Sequence, residues 1–300
     1  MSTIILALER SRVHALARAA DYLELTKPKI GVMVLVTVAV AAVLAGWGQA
    51  DVYAVLHAMF GTALVAASAS ALNQWLERSS DRLMPRTAER PLPAGRLGAQ
   101  EVLTFAGVSL VWGEIHLVLY TNLAAAVWAL VSWIIYVLLY TPLKSRSAWN
   151  TAIGAVGGAL PVVIGWTAAG GSYDLRLAAL FGIVFLWQFP HFMAIAWLYR
   201  RQYAAAGLQM LTVVDPSGRR AGVQAVLAAL ALLPVSLLPM ISLPGTGLFA
   251  AAAFLLGLVQ FIAAISFWRR LSDVAARRLL RVTLLYLPLL LALLLLVPYV

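Results

Sequence analysis

The stretch GTALVAASASALNQWLERSSDRLMPRTAERPLPAGR, residues 61–96, runs from a largely apolar segment into one crowded with charge. Its second part, 73–96, holds three acids, five arginines and three prolines. Asn73, Glu77 and Asp81 fall four residues apart. At 3.6 residues per turn, positions i, i+4 and i+8 stay on one helical face. If the apolar helix continues past its apolar end, these three form a polar ladder ~12 Å long. Two carboxylates and an amide carbonyl are hard oxygen donors of the kind Mg²⁺ takes, and Mg²⁺ keeps room for waters and substrate phosphates. No imidazole or thiolate stands within the ladder, which disfavours zinc or copper there. Arg78, Arg82, Arg86 and Arg90 follow, and cations suit the remaining charge of a metal-held polyphosphate. A solvated loop with helix-stabilising i,i+4 pairs is the competing reading of the same residues.

The chain around this stretch has 300 residues, 63% hydrophobic and 11% charged, with a mean hydropathy of +0.90. Soluble domains carry about 25% charge, so too little polar surface is available here to cover a water-soluble fold. The composition predicts an all-α polytopic membrane protein. A span needs ~20 mostly apolar residues. Such runs lie near 30–48, 52–74, 99–118, 121–140, 151–169, 174–198, 222–241, 246–267 and 280–298, nine in all. With the N-terminus in the cytoplasm, every Lys and Arg except Arg176 falls on the cytoplasmic side, 21 of 22. That alternation predicts an inside N-terminus and an outside C-terminus. It also explains the net charge of +10 without nucleic acid, which is excluded as a partner. The absence of cysteine excludes disulfides, thiolate metal sites and cysteine nucleophiles.

Residues 1–29 mix basic side chains with Glu9, Asp21 and Glu24. They read as an amphipathic segment on the cytoplasmic membrane surface, and their acids argue against a mitochondrial address. The rest, 30–300, reads as one integral domain in a bacterial inner membrane. Small residues run through its spans, as in IGAVGGALPVVIGW (153–166), and permit close helix packing.

Three further patches interrupt the apolar runs. YTPLKSRSAWN, 140–150, places Lys144 and Arg146 on the same side as the ladder, as topology anchors or as diphosphate contacts, with Tyr140 alongside. FLWQFPHFMAIAWLYRRQYAAAGLQMLTVVDPSGRR, 185–220, puts Gln188 and His191 inside a span around Pro190. Polar groups in lipid are costly and often mark a substrate path; a hydrogen-bonded core histidine is the plainer alternative for His191, and iron ligation a further one. Arg201, Tyr203 and Asp215 lie in the loop that follows. The basic run FWRRLSDVAARRLLR, 267–281, reads as a topology determinant. Glu114 and His116 fall near the opposite face, peripheral to this chemistry.

Taken together, NQWLERSSDRLMPRTAERPL, YTPLKSRSAWNTAIGAVGGALPVVIGW, WQFPHFMAIAW, QYAAAGLQML and DYLELTKPKIGVMVL resemble the UbiA-type intramembrane prenyltransferases, and among them the branch that farnesylates heme. The resemblance covers the chain from about residue 20 onward. It implies a bundle of nine transmembrane helices around a central cavity. It implies transfer of farnesyl from farnesyl diphosphate to a vinyl group of heme B, giving heme O. Mg²⁺ is the implied cofactor, and heme B is a substrate rather than a prosthetic group. Membrane lipid surrounds the site, and heme A synthase or oxidase assembly proteins are implied partners.

Residue by residue, the resemblance puts the metal motif on Asn73, Glu77 and Asp81, with Lys144 joining them in catalysis. Substrate contacts fall on Arg82, Arg86, Thr87, Arg90, Tyr140, Arg146, Gln188, His191, Arg201 and Tyr203. The family commonly has an acid just before the tyrosine of the second loop, where this chain has Gln202. Asp215 is the nearest replacement acid, although a cap for the DPSG turn is its other role. Rival readings are a UbiA-type enzyme acting on a quinone or chlorophyll precursor, and a transporter of a lipophilic anion. The first lacks the heme-type loops. The second leaves the acids and cations gathered at one mouth unexplained.

Overall fold

The computed structural model describes residues 15–47, 49, 51–240 and 247–296, and every regular element among them is helical. Helix α1 covers 15–25. Then come α2 (Pro28–Ala45), α3 (Val52–Asp81), α4 (Ala99–Tyr120) and α5 (Leu123–Ile134). A π-helical stretch, Ile135–Tyr140, carries α5 into the short α6 (Thr141–Leu143). After these run α7 (Asn150–Ala168), α8 (Leu175–Leu198), α9 (Arg200–Ala205), α10 (Leu211–Val214) and α11 (Arg219–Val235). A 3₁₀ turn at Leu238–Met240 precedes α12 (Gly247–Arg270) and α13 (Asp273–Leu296).

Eight segments are long and apolar enough to cross a membrane: α2, α3, α4, α5 through α6, α7, α8, α12 and α13. Helix α11 has 17 residues and packs against α8 and α12; with it the described chain makes nine traverses. The sequence predicts this traverse at 222–241, but α11 begins at Arg219 and stops at Val235. Pro234 weakens the last turn, because it donates no backbone hydrogen bond and crowds the carbonyl four residues back, and the chain then tightens into the 3₁₀ turn at Leu238–Met240.

Helix starts opposite the ladder are fixed by side-chain caps. Asp51 accepts from the Tyr53 amide, Asn122 from Ala125 and Asp174 from Leu177. Each satisfies an amide that the first turn leaves without a helical partner. Asp51 and Asp174, acids on this sparsely charged side, therefore have a structural use.

Helix α7 is the most enclosed traverse, with α2, α3, α5 and α8 packed on it. Its glycines make that possible, because helices in lipid gain mainly from close packing. A Cβ on Gly165 would sit 2.0 Å from the Val38 carbonyl oxygen, and one on Gly158 would sit 2.2 Å from Gln188 Oε1. Around α7 the core gathers Leu160, Trp166, Ile183, Tyr286 and Leu290. Trp112, Leu119 and Leu285 instead point outward and are exposed, as lipid-facing positions should be.

Tertiary contacts bring the charged segments to one end. Glu101 takes Arg18 and, at 2.5 Å, the Tyr22 hydroxyl, while Asp21 takes Arg96. These bonds fasten α1, the described part of the N-terminal segment, to the start of α4 and to the loop before it. Arg200 bonds Asp273 at 2.9 Å, tying α9 to α13. The loop at 82–98 is braced by Thr87 Oγ1 on the Asp81 carbonyl at 2.9 Å and Arg82 Nε on the Pro93 carbonyl at 3.1 Å.

Candidate active site

Helix α3 runs unbroken to Asp81, so Asn73, Glu77 and Asp81 share the face their spacing predicts. Thirty residues give it a length of roughly 45 Å, more than the ~30 Å apolar core of a bilayer. That length leaves enough helix for the ladder at its end to lie beyond the hydrocarbon. Asn73 is 0% and Asp81 1% exposed. The ladder points into the protein, which removes the solvated-loop reading.

Each rung meets a cation from a different part of the chain. Lys27 Nζ donates to Asn73 Oδ1 at 2.5 Å. Lys144 Nζ lies 2.8 Å from Glu77 Oε1, and Arg90 donates to Asp81 Oδ2 at 2.6 Å. Asn73 in turn donates from Nδ2 to Thr141 Oγ1 at 3.0 Å, and Thr141 donates to the Tyr136 carbonyl at 2.8 Å.

Local structure explains how these cations arrive. Lys27 precedes Pro28, which disfavours the right-handed helical region for it. It takes the left-handed region instead, at φ 54°, a conformation that costs energy for a side chain of this size. The chain breaks there between α1 and α2, and Lys27 reaches the ladder. Lys144 follows the π-helical stretch. Pro142 would crowd the carbonyl four residues back in a regular helix, and the wider π turn, closed by the Thr141 amide on the Tyr136 carbonyl, absorbs it. The Lys144 carbonyl also accepts the Gln209 amide at 2.6 Å, which joins this loop to the one after α9. Lys144 Nζ stands 4.5 Å from the centre of the Tyr140 ring.

Electrostatics separates the two lysines. Burial, followed by the charges of Arg90 and Lys144, pulls the Lys27 ammonium down to about 7. Burial also opposes charge on Lys144, but Glu77 and the neighbouring Tyr140 and Tyr136 outweigh it and hold its pKa above the ordinary lysine value.

The donor set suits a hard divalent cation. Glu77 Oε1 is buried and makes no directed hydrogen bond; Lys144 approaches it as a charge, off the hydrogen-bond direction. Among the described residues no three His, Asp or Glu side chains converge closely enough to share a metal. Protein ligation of Mg²⁺ here would use two carboxylates and one amide oxygen, leaving positions for phosphate and water.

Other predicted residues distribute around this centre. Arg86 lies 4.7 Å from the Tyr199 ring centre and donates to the Tyr203 hydroxyl at 3.4 Å, linking the first charged loop to α9. Arg146 and Arg201 are exposed. Gln188 Nε2 donates to the Ala155 carbonyl at 2.9 Å, inside the α7–α8 contact. His191 stacks on Trp187 at 4.9 Å, and its Nδ1 is 3.0 Å from Thr283 Oγ1 on α13. Gln202 Oε1 is buried with no hydrogen-bond partner. Asp215 is engaged elsewhere: Oδ1 accepts from Ser217 N and Oγ, and Oδ2 accepts the Arg220 amide at 2.8 Å. Those bonds, the Ser217 hydroxyl first, hold its pKa below the usual carboxylate value.

Lys27, Thr141, Tyr136 and Tyr199 join the site without having been singled out from the sequence. Lys27 had one available signal, its place before a proline at the start of the first span. Thr141 lies within YTPLKSR, but nothing in its spacing to Asn73 reveals the contact. On the far side, His57 Nδ1 and His116 Nε2 lie 3.1 Å apart beside Tyr120, away from the ladder as expected.

Comparison with known proteins gives the family and the fold. The model of the UbiA prenyltransferase family matches residues 34–298. A protoheme IX farnesyltransferase of Rhodopirellula baltica is 44% identical over 275 residues, which cover 89% of this chain and 96% of that protein. One from Solibacter usitatus is 42% identical over 286 residues, 92% of this chain and 98% of that protein. Among solved structures, one described as a digeranylgeranylglyceryl phosphate synthase superposes with a TM-score of 0.77 at 17% identity, over 93% of this chain and 98% of that one. A UbiA homologue from Archaeoglobus fulgidus bound to GPP and Mg²⁺ gives 0.66 at 17% identity, over 91% and 99%. At these identities the structures speak for the fold alone.

Proposed function

The chain belongs to the UbiA prenyltransferase family, and from that premise we propose that it transfers farnesyl from farnesyl diphosphate to a vinyl group of heme B, giving heme O and diphosphate. The observation that carries this reading is the ladder of Asn73, Glu77 and Asp81 met by Lys27, Lys144 and Arg90 at one end of a membrane bundle. The names and identities of the two farnesyltransferase relatives support the acceptor and the donor.

In this proposal Asn73 Oδ1, Glu77 and Asp81 would hold Mg²⁺. The ion, when bound, neutralises charge that grows on the departing diphosphate. Lys144, Arg86 and Arg90 contact the remaining diphosphate oxygens and stabilise the same charge from fixed positions. As the allylic C–O bond breaks, its electron pair leaves with the diphosphate. The vinyl π electrons of heme form the new C–C bond, and water then adds to give the hydroxyethyl group with loss of a proton. The apolar surroundings keep other water from the farnesyl cation. Arg82, Thr87, Tyr140, Arg146, Gln188, His191, Arg201 and Tyr203 remain the proposed substrate contacts, with Asp215 held as the alternative acid.

We place the charged end in the cytoplasm and the C-terminus outside, in a bacterial inner membrane, with heme A synthase or an oxidase assembly protein receiving the product. The predominance of basic residues at that end supports the orientation. Incubation of the purified protein with heme B, farnesyl diphosphate and Mg²⁺, followed by mass spectrometry of the heme, tests the reaction. A mass gain matching hydroxyethylfarnesyl addition is expected. Unmodified heme together with transport of a lipophilic anion by reconstituted vesicles would overturn it.

A further inference from the structure

A groove of about 730 Å³ opens between α7, α8 and α11, within the about 300–1,000 Å³ of pockets that bury ligand-sized molecules. Its walls are apolar and partly aromatic, formed by Trp149, Phe185, Phe189 and Leu227 among others. Phe185 and Phe189 meet edge to face at 5.1 Å. The rim at the charged end differs: Arg219 and Arg220 both line it and both are exposed. Neither takes part in an ion pair among the described residues.

One turn inward from the rim, Gln224 also lines the groove, and its Oε1 is buried without a partner. Arg220, Gln224, Leu227 and Ala228 stand at i, i+4, i+7 and i+8, so one face of α11 presents a cation, an amide and then apolar surface. This order suits an amphiphile with anions at one edge and a rigid apolar body. Two adjacent guanidiniums match two neighbouring carboxylates, each able to accept a paired hydrogen bond. The Gln224 amide can turn its NH₂ toward the same edge. The rings of Trp149, Phe185 and Phe189 line the groove and offer packing surface to a rigid conjugated macrocycle. The groove also adjoins the loop that carries Lys144, since Ala148 and Trp149 in its wall follow Lys144 by a few residues and Asn150 bonds the Gln209 carbonyl at 3.1 Å.

We propose that this groove is the docking site of the heme acceptor, with the propionates on Arg219 and Arg220 and the porphyrin between α7, α8 and α11. The proposal rests on the transferase reading for heme as substrate and adds where heme is first held.

Binding is tested without turnover. The full chain and its R219A/R220A variant, in phosphatidylcholine nanodiscs, are titrated with ferric heme B and with its dimethyl ester by Soret absorbance. Heme B should bind the double variant on the order of tenfold more weakly. The dimethyl ester, which lacks the carboxylates, should bind both proteins alike. Leu227→Trp, which fills the groove without changing charge, should weaken both ligands. Equal heme affinity in the wild type and both variants overturns the proposal. So does a gain in thermal stability from phosphatidylglycerol that needs the two arginines while heme binding does not, because the arginines then serve a lipid headgroup. The mass-spectrometric assay reports separately: farnesylated heme with an unchanged KM for heme in both variants refutes the docking site alone, and heme binding without farnesylation refutes the transferase reading alone.

Discussion

Lys144 Nζ and Glu77 Oε1 lie 2.8 Å apart with only 15% and 11% of their side chains exposed. A pair this withdrawn gives up most of its hydration, and mutual attraction must offset that loss. The same arrangement recurs at Asp81 with Arg90, and in part at Asn73 with Lys27. Three basic side chains thus meet two carboxylates and one amide, and Arg86 reaches Tyr203 nearby. That surplus favours an anion, and it is compatible with a metal only if the anion comes too. A diphosphate with Mg²⁺ satisfies both conditions.

The Glu77–Lys144 pair can be tested so that folding and chemistry separate. Glu77→Gln leaves a buried ammonium without its partner, and breaking such a pair costs about 3–5 kcal/mol. Its thermal midpoint should fall. The double variant Glu77→Gln/Lys144→Met removes both charges and should recover much of the lost stability. Farnesylation should be abolished in both. Turnover near the wild-type level in the stable double variant would falsify the assignment of this pair to the reaction.

Gln202 offers a gain-of-function measurement. Its Oε1 is buried without a hydrogen-bond partner, at the position where the resemblance places an acid. If that oxygen faces the metal shell, Gln202→Glu should lower the Mg²⁺ concentration giving half-maximal turnover. Without Mg²⁺ the variant should also melt at a lower temperature, because the new carboxylate is buried unpaired. An unchanged Mg²⁺ titration would put Gln202 outside the shell.

These contacts show which parts of the site the sequence discloses. The ladder is legible because helical periodicity is local: Asn73, Glu77 and Asp81 need only α3 to continue. The nine traverses are legible because length and apolarity act residue by residue. Lys27 and Thr141 are not legible as partners of Asn73, because they lie 46 and 68 positions away and only the fold sets that meeting. The end of α11 is not legible, because apolarity continues beyond Val235 while Pro234 weakens the last turn of the helix. Gln188 stood out as a polar group in lipid, but its bond to the Ala155 carbonyl depends on space left by Gly158.

Close packing of α7 on α2 predicts a contrast between two glycines. A methyl group on Gly165 would have to displace the Val38 backbone, whereas one on Gly107 meets nothing within 4 Å. Overpacking of this kind typically costs about 1–3 kcal/mol, and backbone cannot yield as a flexible side chain does. Gly165→Ala should lower the thermal midpoint clearly. Gly107→Ala should hold or raise it, since alanine is the better helix former. Equal midpoints would mean that α2 and α7 do not approach as closely as described.

Asp215 connects stability to pH. It accepts from Ser217 and from the Arg220 amide, and these bonds depress its pKa in the folded protein. A depressed carboxylate stabilises the fold above its unfolded pKa, and that contribution is lost as pH falls through the folded value. Comparable helix-start caps are worth about 0.5–2 kcal/mol. Asp215→Ala should therefore melt below the wild type at pH 7, and the gap should narrow progressively below the ordinary aspartate pKa of about 3.9. The same variant should keep its Mg²⁺ titration if Asp215 serves only the turn at the head of α11. A weakened Mg²⁺ response with an unchanged melting temperature at pH 7 would instead make it the replacement acid for the position held by Gln202.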